Sequence, residues 1–553
     1  MKPTLSVRTL WPLAVALALY VALALPNLHL PGLHHDEAQE AGLQGMQLLT
    51  GQPPTLFRDV ALVVNNRAFP VMVQDYIGAA NAYFAWLAFG VGGVSVESLR
   101  AMTVLTGALT LILGYGAARE LGGARLAAIF VLLLAVQPAF IFWTRQGVYV
   151  TSYTITLAFG ALWLLARWWR GGPAYLLSAA AFLMGLGLWG KLLFVWFMGG
   201  VFLGWLVLNA PRLLRWLRAR DTLRPDVPTP AYTIPVAMIA GLLGLAPLIY
   251  YNAESGGTLD NIFNNFDQSY YGVDNRDVGA NLRERVRQAP LVFESGHLRE
   301  LGGQFRNPLA RAWLLGAGLV TLGAALATRQ KRGVRLFVLI LSGAMVAQSS
   351  FTSTALWFTH FALIVPFLVL LGAVGADALL DLWPRGRYVL AAALSIFIAY
   401  EAVTALHYHQ ALRQTGGIDT HTGAIYALHD ALGDLPPGHP VAALDWGISP
   451  AVTMLSEGCI TPNEVFGYTW APDPGFAGRL GPFLALDASV YVLHAPGQEV
   501  FPRREAFLSA AQAAGRDDLT PQEIIRDARG VPVFELWSAG PLSRGVVAVA
   551  CDT

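Results

Sequence analysis

The chain has 553 residues, 55% of them hydrophobic and only 13% charged, with a formal net charge of +1. An ordinary soluble domain is about 25% charged, so this composition excludes one; the net charge says nothing about nucleic acid, and no basic domain or nucleic-acid-binding motif stands out. Apolar runs of ~18 residues or more recur along the chain, which makes it a polytopic α-helical membrane protein.

In chain order, Lys2 and Arg8 precede an apolar stretch, Leu10 to Leu25, read as an uncleaved anchor rather than a signal peptide. His34-His35-Asp36-Glu37-Ala38-Gln39-Glu40 follows at once. Ionisable groups at the edge of a span are costly to desolvate and are often functional. The same stretch also reads as a helix start. Asp36 is a good N-cap, Gln39 completes a capping box, and helical periodicity runs from Ala38 to Thr50 before Gly51 and Pro53-Pro54. Local pattern leaves both readings open.

Eleven spans are expected, near 9–25, 98–118, 124–141, 151–169, 173–190, 192–208, 231–250, 309–327, 333–350, 355–375 and 387–405. Alternate loops hold the basic residues: Arg119 and Arg125; Arg167 and Arg170; Arg212, Arg215, Arg218, Arg220 and Arg224; Arg329, Lys331, Arg332 and Arg335; Arg385 and Arg387. With a cytoplasmic N-terminus all of these fall inside. The apolar but Gly- and Asn-bearing segment Ile77–Val94 is then an interfacial or re-entrant helix. Residues 1–406 form the transmembrane part, with outer loops 26–97 and 251–308. The basic Pro211–Arg220 stretch faces anionic membrane lipids. Residues 407–553 form a small extracytoplasmic α/β domain. Its helical stretches are Ile425–Leu432 and Arg503–Ala514, and its strand-like runs Val441–Leu444, Ser489–His494 and Val531–Leu536. Gly185 and Gly187 fit close helix packing.

Four features share the outer side: Asp36-Glu37; the loop from Arg58-Asp59 through Arg67 to Asp75-Tyr76; Trp143-Thr144-Arg145-Gln146-Gly147; and Gly190-Lys191. Arg145 and Lys191 have an alternative as snorkelling anchors. Two cations and a carboxylate pair facing one compartment suit a phosphate donor and a hydroxyl acceptor that needs a base.

These residues resemble a family. Asp36-Glu37 after the first span is similar to the DE motif of GT-C glycosyltransferases of the protein O-mannosyltransferase and lipid A aminoarabinose transferase type. The resemblance continues through Tyr76–Tyr83, Leu99-Arg100, Ala117–Leu121, Met184–Leu193, and Phe358–Phe361 followed by Ile364–Pro366, covering about residues 1–405. It implies inverting transfer of a monosaccharide from a polyprenyl-phosphate donor to an acceptor hydroxyl on a protein, lipid or glycan, at the outer face of the plasma (inner) membrane. It also implies Asp36 as the base, Glu37 as its support or a cation ligand, and Lys191 with Arg145 at the donor phosphate. Arg58, Arg67, Asp75, Tyr76 and His360 would belong to the substrate loops. Relatives often carry an acid near Arg145, and none stands between Pro138 and Tyr153. A divalent cation is therefore an open matter, with His34, His35 and Glu37 as its candidate ligands and no other cofactor indicated. The rival from another class is a non-enzymatic lipid-carrier transporter or cell-envelope assembly subunit. It predicts repeated halves and charged, broken helices at mid-membrane, and neither is seen.

The two cysteines, Cys459 and Cys551, lie in the tail with no CxxC spacing. An outward tail predicts a disulfide between them.

Overall fold

The computed structural model describes residues 7–146, 151–219, 232–302, 305–436 and 439–542. Lys2, Gly147, Arg220, Arg224 and Cys551, used in the expectations above, lie outside them.

Each of the eleven apolar segments is helical: Val7–Ala24, Val96–Gly122, Ala124–Val136 continued by Pro138–Arg145, Thr151–Trp169, Tyr175–Gly190, Val195–Ala219, Thr233–Ser255, Pro308–Ala327, Arg332–Gln348, Phe361–Leu382 and Arg387–Thr415. Among the described residues, six helices are long and apolar enough to cross a membrane, or seven if the bent pair is one span. Length and composition alone therefore support fewer crossings than eleven.

The bent pair turns by 63° at Gln137. Pro138 lacks the N–H that would continue the first arm and suits the first turn of the second. The Gln137 side chain caps that second arm, accepting from Phe140 N at 2.8 Å. The expected span 124–141 is thus two arms, and Arg145 ends the second arm instead of starting a loop. Glycines set another close crossing: a Cβ on Gly185 would stand 2.2 Å from the Gly241 carbonyl oxygen, and one on Gly244 2.2 Å from that of Phe182. Only glycine lets the helices Tyr175–Gly190 and Thr233–Ser255 approach so far.

The two ends of Val96–Gly122 are about 40 Å apart, from its 27 residues at ~1.5 Å each. At its far end, Arg125, Lys331 and Arg335 bind Asp377 and Asp381 of Phe361–Leu382, with Lys331 Nζ 2.7 Å from Asp377 Oδ2 and Arg335 Nη2 2.8 Å from Asp381 Oδ2. At its near end, Arg100 meets the segment that follows the first helix.

That segment begins with a short turn, His35–Glu37, then a π-helical stretch, Ala38–Gly42, then Leu43–Thr50, closed by Gly51 at φ 78°. A hairpin pairs Ala61–Val64 with Arg67–Pro70. Its Asn65-Asn66 turn has φ of 50° and 61°, the left-handed pair that a two-residue hairpin needs. The expected interfacial helix is shorter than Ile77–Val94: Ile77–Gly78 pairs with Met72–Gln74, and the helix is Ala80–Gly92.

The helix Arg387–Thr415 runs straight through the expected boundary at 406. Beyond it the tail builds a five-stranded sheet from Asn463–Glu464, Val441–Ala443, Val490–His494, Pro532–Ser538 and Thr520–Arg526, in that spatial order. The first pairs are parallel and the last two antiparallel. Val490–His494 is wholly buried, and its alternation shows why. Tyr491 and Leu493 pack with Phe476, Leu480 and Phe507 of the sheet's own helices. Val490 and Val492 pack into one core with Leu33, Ala38, Met46, Phe89 and Leu99. The tail is therefore docked on the segment that carries Asp36, not tethered beside it.

Candidate active site

Glu37 and Arg100 form a two-pronged buried pair: Nε to Oε1 at 2.7 Å and Nη2 to Oε2 at 2.8 Å. Both side chains are 1% exposed. Arg100 also donates to the carbonyls of Leu28 (2.6 Å), Pro31 (2.8 Å) and Gly32 (3.2 Å). Arg145, wholly buried, donates to the carbonyls of Ala24 (3.0 Å), Leu30 (3.0 Å), Pro26 (2.7 Å) and Asn27 (2.7 Å). Its guanidinium lies over the Phe142 ring. The two arginines staple the loop between the first helix and the His35 turn. Arg145 has four of its five N–H donors on that loop, which fits a structural staple better than the expected role at a donor phosphate. Glu37, neutralised by Arg100, is equally unfit for catalysis or for a cation.

Asp36 differs. The residue that caps the turn is His34, whose Nδ1 accepts from Asp36 N at 3.2 Å. Asp36 sits one position inside the turn, so the capping-box reading fails and its carboxylate is left for other work. The side chain is 39% exposed, and His34 Nδ1 lies 3.8 Å from Oδ2. Its charge acts on Glu40, Lys191, Tyr76, Tyr270, Tyr271 and Tyr468, which gathers five separate stretches of chain around one carboxylate.

Lys191 reaches this point because its own stretch leaves the helix. Its backbone is extended (φ −155°), it bridges to Ile77, and Leu192 N donates to the Tyr76 carbonyl at 3.0 Å. This pins the Tyr76 loop to the helix break. Glu40, in the π-helical stretch, accepts from Gln74 Nε2 at 3.2 Å. Burial, then the Asp36 charge, pushes its carboxyl well above the usual range, while Lys191 pulls it back. π-turns recur at functional sites; here one carries the carboxyl that faces Lys191. Glu40 was overlooked in the sequence as a site residue, although it stands four positions from Asp36.

The remaining expected residues lie around this centre in supporting positions. Arg58 pairs with Asp75 (2.8 and 2.9 Å), which also accepts from Tyr251 O–H at 2.6 Å. Tyr76 O–H is 3.2 Å from Tyr270 O–H. Arg67 donates to the Leu48 carbonyl and lies over Phe69 and Trp86, on the hairpin. His360 is buried with Nδ1 3.1 Å from Arg285 Nη2 and Nε2 3.3 Å from Thr354 Oγ1. Arginine only donates, so Nδ1 accepts and Nε2–H donates to Thr354. That arrangement holds the loop before Phe361 and does not offer the ring to a substrate.

Among the described residues no three His, Cys, Asp or Glu side chains converge as a metal-binding group. His34 stacks on His421 at 4.2 Å, and His35 packs on Trp446 at 4.3 Å. With Glu37 held by Arg100, these three candidate ligands do not form a cation site. Burial pushes both imidazoles down, His35 to about 4.

Residues 79–221 match the family described as dolichyl-phosphate-mannose-protein mannosyltransferase. No curated protein sequence matches the chain. Among solved structures, the chain is similar to ArnT from Cupriavidus metallidurans bound to undecaprenyl phosphate, at 15% identity and TM-score 0.60, covering 95% of this chain and 97% of that one. It is also similar to the archaeal oligosaccharyltransferase AglB from Archaeoglobus fulgidus, in complex with an inhibitory peptide and a dolichol-phosphate (14%, TM-score 0.51, 88% and 69%). A third likeness is to the arabinofuranosyltransferase AftD from Mycobacteria (16%, TM-score 0.50, 97% and 42%). The chain shares the fold of these three membrane proteins.

Proposed function

We propose that this protein is a membrane glycosyltransferase that moves a monosaccharide from a polyprenyl-phosphate donor to an acceptor hydroxyl at the outer face of the membrane, with inversion. The observation that carries the reading is Asp36: half-open, used by no cap, and with its charge felt at Lys191. The shared fold and the lipid phosphates named with ArnT and AglB support the donor class.

The acceptor oxygen attacks the anomeric carbon as Asp36 takes its proton. The bond from that carbon to the phosphate oxygen breaks, and the electron pair leaves with the polyprenyl phosphate. Phosphate is already a stable anion, so the leaving group needs no acid. Lys191 meets the charge that grows on the departing oxygen, where a fixed cation in a water-poor site acts most strongly. The backbone bridge to Ile77 and the Leu192 N–Tyr76 carbonyl bond fix the Lys191 stretch, so the cation is positioned before the donor arrives. The N-terminus would be cytoplasmic and the tail extracytoplasmic.

The test uses the purified full chain in nanodiscs with a panel of undecaprenyl-phosphate monosaccharides and a panel of peptide, lipid and oligosaccharide acceptors. Release of undecaprenyl phosphate from one donor, lost in Asp36→Asn, is the expected result. Intact donors with every sugar, under conditions where the protein is folded, would overturn the reading.

A further inference from the structure

Three loops far apart in sequence bring aromatic rings to the surface beside Asp36. Tyr270 and Tyr271 come from the stretch after the helix Gly257–Asn264, Trp357 from the turn before His360, and Tyr468 and Trp470 from the tail. Tyr271 is the hub, with ring centroids 4.2 Å from Tyr270, 5.7 Å from Trp357 and 5.5 Å from Trp470. Tyr468 joins the group through Phe501, 6.0 Å from its ring and 5.1 Å from that of Trp470, and the rings stay open: Tyr270 is 52% exposed, Trp470 56% and Tyr468 64%. A cluster that contacts itself without being buried is an unfilled surface, and such patches mark interaction sites.

The rings are also held in place. Asn275 Nδ2 donates to the Asn265 carbonyl at 2.8 Å and the Thr352 carbonyl at 3.0 Å, locking the first loop to the second. Arg285 Nη1 donates to the Trp357 carbonyl at 3.0 Å. The Trp470 indole N–H donates to the Val500 carbonyl at 3.0 Å, with its ring 5.1 Å from Phe501. Tyr468 O–H donates to Glu464 at 2.8 Å. Rigid rings lose little entropy on binding.

We propose that Tyr270, Tyr271, Trp357, Tyr468 and Trp470 form a stacking platform for a saccharide, and that the acceptor of the transfer is therefore a glycan. A sugar ring has an apolar C–H face and a rim of hydroxyls. Open aromatic faces with hydroxyls among them, beside a carboxylate able to take a hydroxyl proton, match both parts. Tyr270 O–H lies 3.2 Å from Tyr76 O–H, and the Tyr76 carbonyl accepts from Leu192 N at 3.0 Å, which ties the platform to the stretch that carries Lys191. Lipid is the competing occupant, since aromatic belts sit at membrane interfaces. It suits the platform less: Tyr468 and Trp470 stand on the tail sheet through Arg503, which donates to the Phe466 carbonyl at 2.8 Å and the Thr469 carbonyl at 2.5 Å, and acyl chains would gain nothing from a neighbouring carboxylate.

Naming the bound sugar as acceptor rests on the transferase reading, so binding is measured apart from turnover. Full-length protein in nanodiscs is titrated with mannan, glucan and arabinan oligosaccharides, alongside Trp470→Ala, Tyr271→Ala and Trp470→Phe. One oligosaccharide class should bind the wild-type protein. Its affinity should fall about tenfold in each alanine variant and return to within about threefold in Trp470→Phe, the scale of one lost anchor. Equal binding by the wild-type protein and Trp470→Ala, binding of none of the three classes, or quenching of Trp470 fluorescence by brominated lipid would each overturn the proposal. Ring-dependent binding with no donor turnover in any protein would leave the platform standing and refute the transferase reading instead.

Discussion

Asp36 and Glu37 are neighbours in sequence and opposites in structure. Glu37 points inward, is closed off by Arg100, and forms with Arg145 a staple that fixes residues 24–37. Asp36 points outward into the group of Lys191, Glu40 and the loop tyrosines. A motif read as one catalytic pair is thus a division of labour. One carboxylate sets the backbone, and the other is presented by it. A buried ion pair is costly to break and contributes little that packing could not, so its use here is to specify one loop geometry.

The largest expected effect on stability comes from breaking the closed side. Glu37→Ala or Arg100→Met should cost about 3–5 kcal/mol, because each leaves an uncompensated buried charge. The loss should appear as a lower Tm and lower membrane yield rather than as folded protein with slow turnover. Arg145→Met should behave the same way, freeing four loop carbonyls; a normal Tm with a raised donor KM would return Arg145 to the phosphate site.

On the open side, Lys191→Met should lower kcat by about 10²-fold with a Tm near wild type, and Lys191→Arg by less, since the charge is retained. Equal turnover in all three proteins would make Lys191 an interface anchor and blur the contrast.

A smaller effect follows from pH. The His35 imidazole is held neutral by burial, with its pKa lowered from 6.5 to about 4. Between those values the unfolded chain binds the extra proton, so stability falls as pH drops from about 6.5 towards 4. Replacing His35 by Gln should flatten that slope in thermal unfolding. The smallest effect expected is on the tail, where non-reducing peptide mapping should recover Cys459 joined to Cys551 and Cys459→Ser should lower Tm without altering turnover.

Much of this was legible in the sequence, because hydrophobic periodicity and turn chemistry are local. Each apolar segment is a helix, Gly51 closes the stretch it was expected to close, and the strands of the tail near Val441, Ser489 and Val531 fall where β-branched runs placed them. Local pattern leaves the role of Asp36 open because His34 and Asp36 both have side chains able to cap, and only the φ/ψ of the turn decides between them. The roles of Arg100 and Arg145 were hidden for a different reason. Both depend on carbonyls some 70 to 120 residues away, and no spacing rule reports that a cation will be consumed by distant backbone. Glu40 was obscured by the π-turn, which shifts the helical phase that periodicity assumes. The aromatic platform could not be seen at all, since its rings come from three loops joined only by the fold.

The most direct test compares Asp36→Asn with Glu37→Gln, measuring Tm and undecaprenyl phosphate release on the same purified samples. The division of labour predicts that Asp36→Asn keeps a wild-type Tm and loses at least about 10²-fold in turnover, while Glu37→Gln loses Tm and keeps most of its turnover per folded molecule. Near-normal release by a fully folded Asp36→Asn protein would contradict it.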